Sequence, residues 1–300
     1  MRFFHHALAL LAAALPLLVH AGVSVVDDEG RTVTLARPAG RVISLAPHIT
    51  ELLFAAGGGA HVAGAMNFSD HPAAAAKLPL VGSNSGIDIE RVLALKPDLL
   101  VAWRSGNTAR QLEELSRLGI PVFYSEPRAL EDVATSMERL GTLMGTRPAA
   151  DAAARSYRAR IAGLRARYGS RPPVRVFYQV WDRPLYTLSG GHIVSDAIRL
   201  CGGVNVFAAL PTLAPEVGLE AVLKANPEAV VGSQKFEPDD TGVAMWKRYP
   251  GLLAARQGNL FEVQAELLTR ASPRIADGAQ ALCQAIEMAR SRRANHPLKR

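Results

Sequence analysis

The sequence predicts an α/β protein of two similar α/β lobes with mainly parallel sheets. One long backbone helix is expected to join the lobes, with a ligand cleft between them. Short apolar strands alternate with helical segments in both halves of the chain, which is typical of parallel sheets covered by helices. One long helical pattern separates the two halves. A motif from the first half also recurs in the second, which indicates an internal repeat.

The composition is that of a globular protein large enough for two domains, with 300 residues, 49% hydrophobic and 20% charged. Its formal net charge is +7. Most of the excess cations lie near the two ends, in an N-terminal leader and in an acid-free stretch after Met288. Because the body of the chain is close to neutral, we expect no nucleic-acid partner.

The first residues have the pattern of a cleaved secretory signal peptide. Arg2 precedes an apolar run over residues 7–19, and Val19, His20 and Ala21 form the small-residue motif that a signal peptidase cleaves after. The run is shorter than the roughly 20 residues of a membrane-spanning helix. We therefore expect a signal peptide over residues 1–21, cleaved near Ala21, and a mature protein in the periplasm.

Residues 22–145 are predicted to form the N-terminal lobe. An apolar strand at 42–45 is followed by a loop and by helical spacing over 50–56. Further strands are predicted at 61–66, 98–103 and 121–124, with helices over 89–95 and 109–118.

Residues 146–169 form the predicted connecting helix, with apolar positions every three or four residues and Gly169 at its end. Such a helix is about 34 Å long, enough to join two lobes. Pro172 and Pro173 then restart the chain. The C-terminal lobe is predicted over residues 170–289, and residues 290–300 form a basic tail.

The internal repeat is the motif E-x-V-L-x-x-x-P, found at residues 90–97 and again at 220–227. Glu90 and Glu220 begin the two copies. One interpretation is that each carboxylate stabilises the start of its own helix through the helix dipole. The other is that a docking partner recognises the two glutamates as a pair. The residues alone leave both interpretations open.

Metal and catalytic motifs are absent from the sequence. No two of His48, His61, His71 and His192 have metal-ligand spacing, so we expect no metal site held by the protein alone. His48 or His71 as an axial ligand to a metal inside a macrocycle remains an alternative to an ordinary loop histidine. The chain has no nucleophile elbow and no phosphate loop, so we expect neither an enzyme nor a bound cofactor.

Two further features concern the cysteines and the cleft. Cys201 and Cys283 are the two cysteines of the chain, and an oxidising compartment favours their pairing over two free thiols.

Ligands of open α/β sheets bind beyond the carboxyl ends of the strands. Loops at such places carry Phe68, Trp103 and Trp181, while Arg270 precedes a predicted helix start at Ser272 and Pro273. For each ring, packing under its own loop is the alternative to ligand contact.

Six stretches of the chain have a specific pattern: residues 41–47 (RVISLAP) with Thr50 and Glu51, 68–72 (FSDHP), 93–98 (LALKPD), 102–107 (AWRSGN), 201–207 (CGGVNVF) and 270–275 (RASPRI). Through these stretches the sequence resembles a known family, the periplasmic vitamin B12-binding proteins that supply the B12 ABC importer. These belong to a wider class of helical-backbone receptors for B12, haem and ferric siderophores. The resemblance extends from about Arg41 to Met288.

The resemblance implies a monomeric, non-enzymatic receptor that binds cobalamin or a related corrinoid as transported ligand and delivers it to membrane permease subunits. It also implies a Cys201–Cys283 disulfide and docking through Glu90 and Glu220. The implied ligand-binding residues are Phe68, Trp103, Trp181, Glu266, Leu267, Leu268, Thr269 and Arg270. The sequence departs from the family pattern at Asn84, Ala214 and Leu267, where a familiar member has tryptophan, and at Val180, where it has phenylalanine. A receptor of the same fold for haem or a ferric siderophore is the alternative.

Overall fold

The computed structural model describes residues 22–83, 85–233 and 241–295. The predicted signal peptide, Asn84 and the end of the basic tail lie outside these residues. The fold class is confirmed, because two four-stranded parallel sheets are each covered by helices. No helix in the described part of the chain is long and apolar enough to cross a membrane.

The N-terminal lobe contains a parallel sheet with strand order β4-β3-β7-β8. Two antiparallel hairpins, β1-β2 and β5-β6, flank this sheet. The elements in chain order are β1 (Val23–Val26), β2 (Thr32–Leu35), β3 (Val42–Ser44), α1 (Pro47–Ala55), β4 (Val62–Ala65), β5 (Gly82–Ser83), β6 (Gly86–Ile87), α2 (Ile89–Ala94), β7 (Leu99–Trp103), α3 (Ala109–Arg117), β8 (Val122–Ser125) and α4 (Leu130–Met144).

Helix α1 begins earlier than the sequence predicts, at Pro47 instead of near residue 50. Proline at the first helical position explains this start, because it lacks only an N–H that has no partner there and its φ angle is already helical. The earlier start places His48 in the first turn of α1 rather than in a loop. Helix α4 is not among the predicted helices, and its first residue follows Ala129, which has no side chain that could signal an N-cap.

One long helix, α5 (Arg147–Tyr168), follows the first lobe. It packs against α1 and α4 on one side and against α6 (Ile193–Leu200) and α10 (Ile275–Asn295) of the second lobe on the other. Its buried face is formed by Ala150, Ala154, Tyr157, Ile161 and Tyr168.

The C-terminal lobe repeats the first, with a parallel sheet of order β12-β9-β13-β14. The antiparallel pair β10-β11 follows β9, and it has no counterpart after β3 of the first lobe, where α1 begins directly. The remaining elements of this lobe are β9 (Val174–Gln179), β10 (Trp181–Asp182), β11 (Leu185–Tyr186), β12 (Gly203–Asn205), α7 (Leu219–Ala225), β13 (Ala229–Ser233), α8 (Leu253–Arg256), β14 (Leu260–Val263) and α9 (Ala265–Thr269).

The repeated motif has the same structural role in both lobes. In the first lobe the backbone N–H of Arg41, before β3, donates to Asp98 at 2.9 Å. In the second lobe the backbone N–H of Arg175, in β9, donates to Glu228, also at 2.9 Å. Each guanidinium also donates to the carbonyl three residues before that acid. The acid that follows each copy of the motif, together with the arginine, therefore joins the end of the motif's helix to an inner strand of its sheet.

The hydrophobic core is continuous through both lobes. One cluster of buried apolar side chains extends from the first lobe past α5 into the second. Smaller clusters lie within each lobe, around Ile43 and Leu100 in the first and around Phe177 and Trp246 in the second. Because the largest cluster is shared, the two lobes are packed together along α5.

The predicted basic tail is partly helical, because α10 continues past residue 289 to Asn295. Among the described residues of this tail, the arginines contact the second lobe. Arg290 donates to the carbonyl of Pro172 at 2.7 Å, and Arg293 pairs with Glu228 at 2.6 Å. These contacts explain why α10 continues into a segment that the sequence predicted only as a basic tail.

The disulfide is confirmed, because Cys201 and Cys283 are bonded with a Cα–Cα distance of 4.7 Å. Cys201 follows α6 and Cys283 lies in α10, so the bond joins two helices of the second lobe. The remaining alternative of two free thiols does not apply.

The double variant Cys201→Ser/Cys283→Ser should be less stable than the natural protein. The bond closes a loop with a sequence separation of 82 residues, for which chain-entropy models give about 4–5 kcal/mol. Chemical unfolding of the purified, oxidised proteins would measure the difference. A free energy of unfolding equal to that of the natural protein would contradict a stabilising role for the disulfide.

Candidate ligand-binding site

A cavity of about 560 Å³ lies between the lobes and is lined by both. The first lobe contributes Pro47, His48, Trp103, Ser105, Glu126, Pro127 and Arg128. The second lobe contributes Val180, Leu188, Gly191, His192, Ile193, Leu213, Ala214, Thr269, Arg270 and Ala271. The first-lobe residues follow β3, β7 and β8, so this side of the cavity lies at the carboxyl edge of a parallel sheet, as the sequence predicts.

Trp103 is the cavity's tryptophan from the first lobe, and the loop after β7 fixes its position. The backbone N–H of Trp103 donates to Asn107 Oδ1 at 2.8 Å, and Asn107 Nδ2 donates to the carbonyl of Leu45 at 2.8 Å. A Cβ atom at Gly106 would lie 1.9 Å from the Trp103 ring, so the ring needs a glycine there. Residues 103–107 (WRSGN) therefore fix the position of the Trp103 ring.

The same loop is attached to its neighbours by charged side chains. The N–H and hydroxyl of Ser105 donate to the Glu126 carboxylate at 2.8 and 3.0 Å. Arg104 donates to Glu29, in the turn of the β1-β2 hairpin, at 3.0 Å. These hydrogen bonds attach the loop after β7 to Glu126 and Glu29 and so restrict its position.

His48 lies in the first turn of α1 and is buried. Its ring meets that of Trp103 edge to face, with 5.4 Å between the ring centroids. Burial lowers the pKa of His48 from its ordinary 6.5 to about 4. Its Nε2 atom is buried without a hydrogen-bond partner among the described residues. The imidazole is therefore neutral at neutral pH.

His192 lies near the start of the corresponding helix of the second lobe, at the residue before α6. Its Nδ1 accepts a hydrogen bond from the backbone N–H of Val194 at 3.2 Å, which caps the helix. Burial lowers the pKa of His192 to about 4. A neutral imidazole that accepts at Nδ1 carries its hydrogen on Nε2. The cavity thus has a neutral histidine from each lobe.

A cluster of charged residues joins the lobes beside the cavity. We call it the Glu51 cluster. The Glu51 carboxylate accepts from Arg274 at 2.6 and 2.9 Å, from Ser272 at 2.5 Å and from Arg270 at 3.2 Å. Arg270 also pairs with Asp70 at 2.8 Å and with Glu266 at 3.6 Å. The cluster consists of Glu51, Asp70, Glu266, Arg270, Ser272 and Arg274.

Burial alone would raise the pKa of Glu51, but hydrogen bonds from Arg274, Ser272 and Arg270 outweigh that effect and hold the pKa below its ordinary value. Glu51 is therefore ionised at neutral pH although its side chain is only 2% exposed. Glu51 was not predicted as a site residue, because its partners in the second lobe lie more than 200 residues away along the chain.

The predicted ligand-binding residues differ in their placement relative to the cavity. Trp103, Thr269 and Arg270 line the cavity. Leu268 is fully buried in the shared core, where its side chain packs instead of reaching the cavity. Glu266 is exposed on α9 and pairs with Arg270. The partly buried Leu267 lies beside Glu266 but does not line the cavity, and its carbonyl packs against Gly278.

Phe68, Trp181 and His71 do not line this cavity. Phe68 is 60% exposed, and its backbone has φ of 61°, so the ring projects from a turn. The indole N–H of Trp181 donates to the carbonyl of Arg183 at 3.0 Å. His71 is exposed. Ligand contact by Phe68 and Trp181 stays a prediction.

Several segments that line the cavity were not predicted from the sequence. The segment 126–128 follows a predicted strand, and the rule that ligands bind beyond strand ends would have identified it. The segments around Leu188 and His192 follow the β10-β11 pair, and the segment around Leu213 follows β12. None of these strands was predicted, so the same rule gave no signal there. Val180 and Ala214, two of the departures from the family pattern, do line the cavity.

Glu90 and Glu220 occupy the same position in the two lobes. Each is exposed in the first turn of its helix, Glu90 in α2 and Glu220 in α7. Both interpretations of this pair remain compatible with the placement. Within the described ranges, no group of three or more histidine, cysteine, aspartate and glutamate side chains is arranged to hold a metal ion.

The two buried histidines should make the protein less stable as the pH falls below 6.5. Their folded pKa values are about 4, against an ordinary value of 6.5, so in this range the unfolded chain binds protons that the folded protein does not. Each histidine should lower the free energy of unfolding by about 1.4 kcal/mol per pH unit. Urea unfolding between pH 7.5 and 5 would measure this slope.

The variants His48→Phe and His192→Asn should each reduce the slope, and the double variant should remove most of it. Titration of the Glu51 carboxylate does not interfere in this range, because its depressed pKa places any loss of stability at lower pH. A double variant with the full natural slope would contradict the assignment to these two histidines.

Comparison with known proteins agrees with this arrangement. A family profile described as "Periplasmic binding protein" matches residues 42–267. The vitamin B12-binding protein of Yersinia pestis is 40% identical over 249 residues, covering 83% of this chain and 87% of that protein.

Solved structures give the same result. The periplasmic vitamin B12-binding protein of Vibrio cholerae superimposes with a TM-score of 0.78 at 35% identity, covering 84% of this chain and 98% of the other. A periplasmic haem-binding protein of Pseudomonas aeruginosa superimposes with a TM-score of 0.69 at 29% identity, covering 83% of this chain and 92% of the other. The chain described here belongs to the periplasmic binding protein family.

Proposed function

We propose that this protein binds vitamin B12 or a closely related corrinoid between its lobes in the periplasm and delivers it to the membrane subunits of an ABC importer. It acts by binding and not by catalysis, and the corrinoid is its cargo and not a cofactor. Relatives at 35–40% identity over most of the chain are named vitamin B12-binding proteins, which supports this proposal.

The observation that carries the choice of ligand is the balance of charge around the cavity. Arg270, which lines it, is paired with Glu51, Asp70 and Glu266. The other lining arginine, Arg128, lies two residues from the lining carboxylate Glu126. With both lining histidines neutral, the cavity carries no strong excess of positive charge.

A corrinoid suits such a cavity better than haem does. Its ring is large and mostly apolar, and the side chains at its edge end in uncharged amides. Haem carries two propionate carboxylates, and a ferric siderophore is commonly anionic, so both favour unpaired cations. Aromatic contact from Trp103 and apolar contact from Leu188, Ile193 and Leu213 fit the face of the ring.

The small side chains Val180 and Ala214 support a difference in packing within the same ligand class. They line the cavity at positions where the family pattern has larger aromatic residues. Smaller side chains at these positions leave more space in the cavity than aromatic ones would. These two positions should therefore change the relative affinity for corrinoids that differ in their lower ligand.

Cyanocobalamin should bind with one-to-one stoichiometry, and Trp103→Ala should weaken binding by roughly 1–3 kcal/mol because a held aromatic contact is lost. Titration calorimetry would measure both. Phe261→Ala is the matched control, since that ring is partly buried against Arg292 outside the cavity. Absence of heat with cobalamin and cobinamide, together with clear binding of haem or a ferric siderophore, would support the alternative receptor.

We further propose that Glu90 and Glu220 dock the protein on the importer. They are exposed, they carry the same charge, and the repeat places them at equivalent corners of the two lobes. A membrane partner with one cationic site for each lobe would bind both at once. If each only stabilised its own helix, the effect would be a few tenths to about 1 kcal/mol of stability and no loss of transport.

The double variant Glu90→Arg/Glu220→Arg should bind cobalamin normally but fail to support its uptake, because like charges then face the importer. Uptake of labelled cobalamin in cells that depend on this protein, and association with the purified importer, would test this. The control Glu113→Arg/Glu262→Arg makes the same charge change at exposed positions on α3 and β14. Normal uptake by the first variant would contradict docking through these glutamates.

A further inference from the structure

The Glu51 cluster connects opposite sides of the ligand cavity. Glu51 lies in α1 of the first lobe, and three of its partners, Arg270, Ser272 and Arg274, lie in the segment that leads into α10 of the second lobe. Five hydrogen bonds of this cluster, with donor–acceptor distances from 2.5 to 3.2 Å, cross the boundary between the lobes. Away from α5, this cluster is a direct polar connection between the lobes.

Both ends of the connection are continuous with the cavity lining. Pro47 and His48 line the cavity one turn before Glu51 in the same helix. On the other side, residues 269–271 line the cavity immediately before Ser272. A shift of Glu51 relative to Arg274 would therefore move the two sides of the cavity relative to each other. Glu51 itself does not line the cavity.

The chemistry of the cluster favours a positioning role over simple stabilisation. Buried ion pairs often contribute little net stability, because removing both charges from water offsets their attraction. Such a pair instead fixes the relative orientation of its two side chains, since the Arg274 guanidinium binds both oxygens of the Glu51 carboxylate in a fork geometry. Ser272 donates to one of the same oxygens. One orientation of the segment satisfies all of these donors.

We propose that Glu51 is a positioning residue for ligand binding: its carboxylate holds residues 269–274 against α1 and thereby sets the separation of the two sides of the cavity. The ligand part of this inference rests on the proposed function, but the effect on lobe separation does not. Loss of the carboxylate should allow the lobes to separate at the cavity while α5 still joins them.

The test compares Glu51→Gln with the natural protein in two measurements. The dissociation constant for cyanocobalamin should rise by about tenfold or more, mainly through faster dissociation, because the cavity no longer holds its bound shape. In ligand-free protein, nitroxide labels at Leu118→Cys and Val204→Cys should show a broader distribution of distances. These two residues are exposed in different lobes, at 54% and 49%.

Two further variants keep the test decisive. Ser272→Ala removes one donor to Glu51 and should change both measurements in the same direction but less, which covers the case that Glu51→Gln does not fold. Glu138→Gln is the control, because it removes a carboxylate paired with Arg158 between α4 and α5, away from the cavity. It should leave the affinity and the label distances unchanged.

The outcomes separate this inference from the proposed function. Glu51→Gln and Ser272→Ala with natural affinity and natural label distances would overturn the positioning role. A natural protein that does not bind cobalamin would overturn the proposed ligand, and the label distances in ligand-free protein would still decide the role of Glu51. Equal effects from Glu138→Gln would show a general loss of structure and would also overturn it.

Discussion

The packing of both lobes on a single helix is the constraint on which the rest of the structure depends. The buried face of α5 contributes to one core that extends through both lobes, so neither sheet has a separate main core. Tyr157 strengthens this junction, because its hydroxyl donates to the carbonyl of Leu130 at 2.9 Å. The N–H of Leu130 in turn donates to Asp196 of the second lobe at 2.8 Å. A rotation of one lobe about α5 would have to break these contacts.

This constraint explains how the cavity is built. Since a large movement of the lobes would break the contacts along α5, we expect the shape of the site to exist before binding. The loop of Trp103 is accordingly held by Asn107, Glu126 and the space at Gly106. The polar groups in the lining are largely used by the protein itself, His192 as a helix cap and Arg270 in an ion cluster. What remains for a ligand is mainly apolar surface with few unpaired charges.

The sequence predicted the fold class, the repeat and the disulfide, since these depend on local periodicity or on a resemblance carried by contiguous motifs. It predicted only part of the site. Trp103 and Arg270 were identified because they stand at recognisable ends of a strand and before a helix. Glu51 was not identified, because a glutamate inside an apolar helix gives no sign of partners near Arg270. Phe68 shows the opposite difficulty, since a ring in a loop after a strand gives no indication that its turn directs it toward solvent.

The internal repeat explains equivalent positions but not the properties of the site. Glu90 and Glu220 occupy matching places, and His48 and His192 lie near the starts of corresponding helices, because α2 corresponds to α7 and α1 to α6 in sheets of the same strand order. The residues around them differ between the lobes. Trp103 lines the cavity from the first lobe, whereas the second lobe contributes mainly aliphatic residues and the segment 269–271. A cavity with unlike sides can select one orientation of a ligand whose two faces differ, while the exposed glutamates keep the symmetry that a partner with two similar subunits would recognise.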